Sequence, residues 1–162
     1  MNNNPTTKLV DCFVCGGSNP WDFRKIESNV WELLSDVTYG LKFKTKEESF
    51  ILTLTVPQGF RYDLASIPKV FQGLLGNKET IAIEACLLHD YIYEFNNKEG
   101  TLKGKNPLLS DRLVADKAFL LLMELYDNPR EAWKRLVMYQ AVRMFGGKPF
   151  ASNSGRNKTS LP

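Results

Sequence analysis

Residues 83–95 read IEACLLHDYIYEF, an apolar run interrupted by Glu84, Glu94 and the adjacent pair His89-Asp90. It holds the one histidine of the chain. At helical spacing His89 shares a face with Ala82, Ala85, Cys86 and Tyr93, all small, apolar or aromatic, while Asp90 points about 100° away. The pattern predicts a helix from Lys78 to Phe95. That helix divides the chain into a strand-rich part before it and a helical part after it.

Upstream, FILTLTVP (50–57) alternates cleanly. Phe50, Leu52, Leu54 and Val56 fall on one face, and Ile51, Thr53 and Thr55 on the other. VWELLSDVTYGLKF (30–43) alternates more roughly, and KTKEES (44–49) is a polar turn. Together they predict an antiparallel hairpin with one face for a core, ended by Pro57 and Gly59. In DLASIPKVFQGLLG (63–76), Ser66 suits a helix cap and Pro68 a first turn, so a short helix is expected to about Leu75. Residues 1–29 begin rich in Asn, Thr, Gly and Pro and are expected to form an irregular arm.

Downstream, NNKEGTLKGKNP (96–107) reads as a loop. Ser110 is placed to cap the helix DRLVADKAFLLLMELY (111–126), with Asp111 complementing its N-terminal dipole. Asn128, Pro129 and Glu131 open another helix, which stops at Gly146-Gly147. The tail, 148–162, is polar. The expected class is α+β: a small antiparallel sheet made by the N-terminal hairpin, followed by a four-helix half. Two long antiparallel helices in that half carry His89-Asp90 and Asp116. One domain, 30–147, accounts for the core.

With 162 residues, 43% of them hydrophobic, the chain suits one packed domain. The net charge of +3 comes from scattered residues, so no nucleic-acid surface is expected. No stretch reads as a signal peptide, and no apolar run approaches the roughly 20 residues that span a bilayer. Three cysteines, an odd number, fit a reducing compartment. Cys12 and Cys15 have the spacing of half a zinc site that Cys86 and His89 could complete. The second half lacks a knuckle of its own, so ordinary thiols are the preferred expectation.

Asp116 lies on an apolar stripe with Leu113, Leu120 and Met123, where a carboxylate is costly unless paired. If the two helices face each other, Asp116 meets His89, and Tyr93, one turn beyond the histidine, reaches the same carboxylate. An imidazole held by a buried carboxylate has the fixed tautomer a general base needs. The same pair equally serves as a mutually satisfied polar contact inside a core. Ser66 also invites a nucleophile role with His89 as base and Asp116 as orienter. Against this, Asp63 and Ser66 suit a turn and a cap, and no Gly-x-Ser-x-Gly elbow is present. Metal phosphohydrolase and zinc-peptidase motifs that need a second histidine are excluded. Trp133, Met138, Tyr139 and Phe145 are expected to face the core rather than a ligand groove, and Arg143 to meet a helix end or an acidic side chain.

CLLHDYIY (86–93) resembles the Cys-x-x-His-Asp-x-x-Tyr helix of secreted and prokaryotic phospholipases A2, and ADKAF (115–119) resembles their aspartate-bearing partner helix. The resemblance implies His89 as the water-activating base, Asp116 and Tyr93 as its orienting pair, and Asp90 as a calcium ligand, with Asp63 a further candidate. The Gly-rich calcium loop of those enzymes is absent, and calcium takes six to eight oxygens where Asp90 supplies at most two. VPQGFRYDLASIP, LLHDYIY, SDRLVADKAF and MYQAVRMFG, in that order, resemble the phage and prophage family catalogued as domain of unknown function 1353. That likeness implies a bacteriophage protein acting in the host cytoplasm or in the virion, with other phage proteins or a host protein as partners. Two functions from different classes follow: a hydrolase-like protein with a His89–Asp116 dyad, or a phage structural or host-interaction protein on the same scaffold. An open cleft at His89 and Asp90 favours the first. A sealed one removes its simple form.

Overall fold

The computed structural model describes residues 7–17, 22–27, 30–63, 83–95, 107–126 and 132–147. Six strands form two three-stranded antiparallel sheets. The first sheet has β1 (Lys8–Gly17) beside β4 (Val37–Lys44), which pairs in turn with β5 (Ser49–Val56). The second places β3 (Val30–Leu33) between β2 (Phe23–Glu27) and β6 (Arg61–Asp63).

The hairpin of β4 and β5 follows its alternation. Val37 pairs with Val56 and Lys44 with Ser49, and Leu54 and Val56 are buried while Ile51, Thr53 and Thr55 are exposed. Pro57 to Phe60 then turns the chain, with the Phe60 amide donating to the Pro57 carbonyl at 3.2 Å. Gly59 supplies the positive φ (81°) at the third position of that turn.

Three expectations change here. Residues 8–17 and 23–27 are strands rather than an irregular arm. β1 hid from periodicity because its register slips at Val10 and again at Cys15, so the buried Leu9 and Cys12 stand three apart instead of two. The stretch 30–43 is not one strand. It breaks at Leu34–Asp36, leaving β3 in one sheet and β4 in the other. The Asp36 carboxylate holds the break by accepting the Gln58 amide at 2.7 Å.

The third correction concerns the helices. Among the described residues there are three of similar length, α1 (Ile83–Phe95), α2 (Arg112–Tyr126) and α3 (Ala132–Phe145), not a four-helix half dominated by two long ones. The short helix expected at Ser66–Leu75, the start of the helix expected at Lys78 and the tail lie outside the described residues. A 3₁₀ turn, Pro107–Ser110, precedes α2, and the cap is Asp111 rather than Ser110. Its carboxylate accepts the Leu113 amide at 2.8 Å, and its carbonyl accepts the first helical amide bonds, from Val114 and Ala115.

α1 is buried around nearly its whole circumference, which is why its sequence carries no polar face. It packs on β6 at one side and on α2 at another, and α2 also contacts β1 and α3. Tyr39, Leu41 and Phe43 of β4 and Leu87, Leu88 and Ile92 of α1 are fully buried in one continuous core with Phe119, Leu122 and Met123 of α2. On the second sheet, Glu32 is clasped from both neighbouring strands, by Arg24 at 2.6 Å and Arg61 at 3.0 Å. Hydrogen bonds from Arg24, then Arg61, hold its carboxyl below the usual range. No described helix is long and apolar enough to cross a membrane.

Candidate functional site

The site forms where three helices converge on one carboxylate. Asp116, at the second turn of α2, is 0% exposed. Its Oδ1 accepts hydrogen bonds from His89 Nε2 at 3.1 Å and from the Tyr93 hydroxyl at 2.5 Å. Its Oδ2 accepts one from Arg143 at 2.7 Å and lies 3.5 Å from Arg112 Nε. Three hydrogen-bond donors from α1 and α3, with the Arg112 guanidinium of α2 beside them, therefore surround its two oxygens, as a buried carboxylate requires.

The i, i+4 spacing of His89 and Tyr93 on α1 brings both to the same oxygen. Their rings lie with centroids 4.0 Å apart, and Phe119 of α2 closes the other side at 5.1 Å. α3 reaches the cluster by its C-terminal end. Arg112 donates to the Arg143 carbonyl, and Gly146 packs so tightly that a Cβ there would fall 2.5 Å from the Tyr93 hydroxyl. The two glycines that end α3 thus also let it approach.

The second ring nitrogen differs. His89 Nδ1 faces Asp90 Oδ1 at 3.4 Å, a longer and weaker contact than the one to Asp116. Asp90 was expected to point away from the imidazole, yet its carboxylate curls back onto it. His89 is 3% exposed. The Asp90 side chain, at 11%, is the more open of the two. The imidazole is therefore almost wholly covered, and the Asp90 carboxylate is the less covered of the pair.

Charge follows the geometry. Burial alone would push His89 down, but the hydrogen bonds to Asp116 and Asp90 outweigh it and leave its pKa raised. Burial likewise opposes ionisation of Asp116, and the hydrogen bonds from His89 and Tyr93 overcome it, so its pKa is lowered. Burial and the neighbouring Asp116 keep Tyr93 a neutral donor. The charged form of the imidazole is thus favoured, with Nε2 held by Asp116 and Nδ1 as the looser edge.

The structure brings His89, Tyr93 and Asp116 together, and adds Asp90 to them. Ser66 and the Asp63 side chain lie outside the described residues. Sequence reading gave Arg143 only an ordinary pairing and passed over Arg112, although Arg112 stands four residues before Asp116, the spacing of a helical ion pair. Among the described residues no three His, Cys, Asp or Glu side chains converge as metal ligands would. Asp90, the described carboxylate among the calcium candidates, is turned to His89. Cys12 is buried, its thiol pushed up to about 12 by burial and then by Asp11 and Cys15, and Cys15 is an exposed bulge residue. On α3, Met138 is buried as expected, whereas Trp133 and Phe145 are 48% and 47% exposed and do not face the core.

The family model described as "Protein of unknown function (DUF1353)" matches residues 31–142. The chain belongs to this family. The DUF1353 match takes in four strands, α1, α2 and most of α3, and so all of the cluster except Arg143, one residue beyond it. No curated protein and no solved structure matches the chain.

Proposed function

We propose that the cluster is a general-base centre of hydrolase type in a protein of phage or prophage origin, with His89 activating water through Nδ1. The observation that carries this reading is the fully buried Asp116, which with Tyr93 fixes Nε2 and leaves Nδ1 with the weaker partner. Arg143 and Arg112 keep Asp116 an anion, so it orients the imidazole and stabilises its charged form without taking the proton. The closed geometry makes this a resting state: Asp90 must turn from Nδ1 before a reagent reaches it. Hydrolysis would then rise with pH through the raised pKa of His89, as the free-base form appears. The phage setting is supported by the order of the four sequence motifs that resemble that family.

A second reading is favoured by the 3% exposure of His89. In it the cluster is an ionic clasp that locks three helices, and the protein serves as a phage structural or host-interaction component. Hydrolysis of activated esters and of phospholipid vesicles by the wild type, His89→Gln and Asp116→Asn separates the two. Turnover in the wild type, at least 100-fold weaker in folded His89→Gln, supports the base, since general-base groups contribute about 10²–10⁴-fold. No turnover by the wild type, or equal turnover in His89→Gln, leaves the clasp.

A further inference from the structure

Among the described residues each sheet ends in two outer strands, and three of these four edges carry features that discourage pairing between chains. β1 is bulged at Val10 and Cys15. β2 is bulged at Ile26 and carries Arg24, Lys25 and Glu27, and β6 runs for only three described residues. β5 has none of these. It runs for eight residues, Ser49–Val56, in unbroken register with β4, and holds no charged residue, glycine or proline.

The turn before it fixes where its backbone groups point. The Thr45 amide donates to the Glu48 carbonyl at 2.9 Å, so these residues face each other as a hydrogen-bonded pair. Antiparallel pairs alternate from there. Phe50, Leu52, Leu54 and Val56 therefore bond to β4, and the N–H and C=O of Ser49, Ile51, Thr53 and Thr55 face the outer edge. No described strand pairs with that edge. The side chains agree with an uncovered margin. Ile51 is 53% exposed, and Phe50 and Leu52 are only partly buried although they share the core face with the buried Leu54 and Val56.

A strand that pairs with its own copy must be self-complementary about a two-fold axis. β5 meets that condition at Thr53. Antiparallel pairing of Thr53 with Thr53 of a second copy sets Ile51 opposite Thr55, Leu52 opposite Leu54 and Phe50 opposite Val56. The outward-facing groups of Ile51, Thr53 and Thr55 then exchange hydrogen bonds, apolar side chains meet on the core face, and no charge is brought against a like charge. We propose that the outer edge of β5 is a self-association surface, on which a second copy of this chain pairs antiparallel about Thr53. A single strand pair buries less than the roughly 1,000 Å² of a stable interface, so the dimer is weak and grows with concentration.

Sedimentation velocity of the full chain from about 10 μM to about 1 mM, with amide hydrogen exchange at both ends of that range, tests the assignment. The sedimentation coefficient should rise with concentration, and the amides of Ile51, Thr53 and Thr55 should become more protected. Thr53 is exposed, so Thr53→Lys keeps the fold while placing two ammonium groups together at the axis, and it should weaken association about 10-fold or more. A monomer at every concentration, or association that Thr53→Lys leaves unchanged, would overturn the proposal. So would protection of those three amides that is the same at both concentrations, because the edge would then be covered from within the chain. Should the variant misfold, exchange in the wild type decides alone. None of these readouts involves the His89–Asp116 cluster.

Discussion

At the scale of residues, the energetics turn on Asp116, an anion at zero exposure with three hydrogen-bond donors and the Arg112 guanidinium around it. Removing its charge strands cations in a low-dielectric place. Asp116→Asn should cost about 3 kcal/mol, at the lower end for breaking a buried pair because Arg112 and Arg143 keep some solvent. Urea unfolding measures it, and a loss under 1 kcal/mol would mean the cluster is already solvated. The pH dependence has a definite sign. His89 has a folded pKa raised above its ordinary 6.5, so its contribution is complete below that value and is lost as pH rises through the folded pKa. Asp116 is lowered from 3.8, so its contribution is present above that value and is lost as pH falls through the folded pKa. Stability should hold a plateau from about pH 4 to 6.5 and decline on both sides, and thermal unfolding across that range checks it. His89, Tyr93 and Asp116 were legible because each breaks or exploits the helical period. The turn of Asp90 onto Nδ1 was not, since the helical wheel fixes a side chain's direction only to its Cβ.

At the scale of elements, the end of α3 is part of the cluster. Gly146→Ala would place a methyl group on the Tyr93 hydroxyl and the Val142 carbonyl. It should cost about 1–3 kcal/mol, as overpacking does, and thermal unfolding should show it. An unchanged melting temperature would mean that α3 docks less closely. The N-terminus of α2 gives a smaller, cleaner test. Asp111→Ala removes the cap on Leu113 and should cost about 1 kcal/mol in urea unfolding. Sequence reading placed that cap one residue early, at Ser110, because both residue types cap well and only the backbone shows which carbonyl begins the helix. The β4–β5 hairpin was legible in its alternation, whereas β1 was masked by its two bulges.

Considered as a whole, the molecule depends on a segment that its composition suggested was an irregular arm. β1 covers the outer edge of β4 along its whole length, from Lys8 opposite Lys44 to Gly17 opposite Val37. Phe13 lies over Gly40, where a Cβ would fall 2.7 Å from the ring, so strand and glycine fit as a pair. Deleting residues 1–17 would bare that edge and uncover Leu41 and Phe43, a template for strand pairing between chains. Size-exclusion chromatography should find the truncated protein aggregated. A well-behaved monomer would show that β1 is an ornament. The α+β class could be read from the switch between periods of 2 and 3.6, but the second sheet could not. Its strands are short, and β3 and β4 are separated by only Leu34–Asp36.

The most direct test of the proposed centre uses the single histidine. With ¹⁵N-labelled histidine, the ring gives one pair of nitrogen signals to follow against pH. A base oriented by Asp116 should be more than half imidazolium at pH 6.5 and have its midpoint above that pH. Nδ1 should release the proton while Nε2 keeps its own. A ring already neutral at that pH, or one that loses the Nε2 proton first, would contradict both the charge state and the assignment of Nδ1 as the working atom.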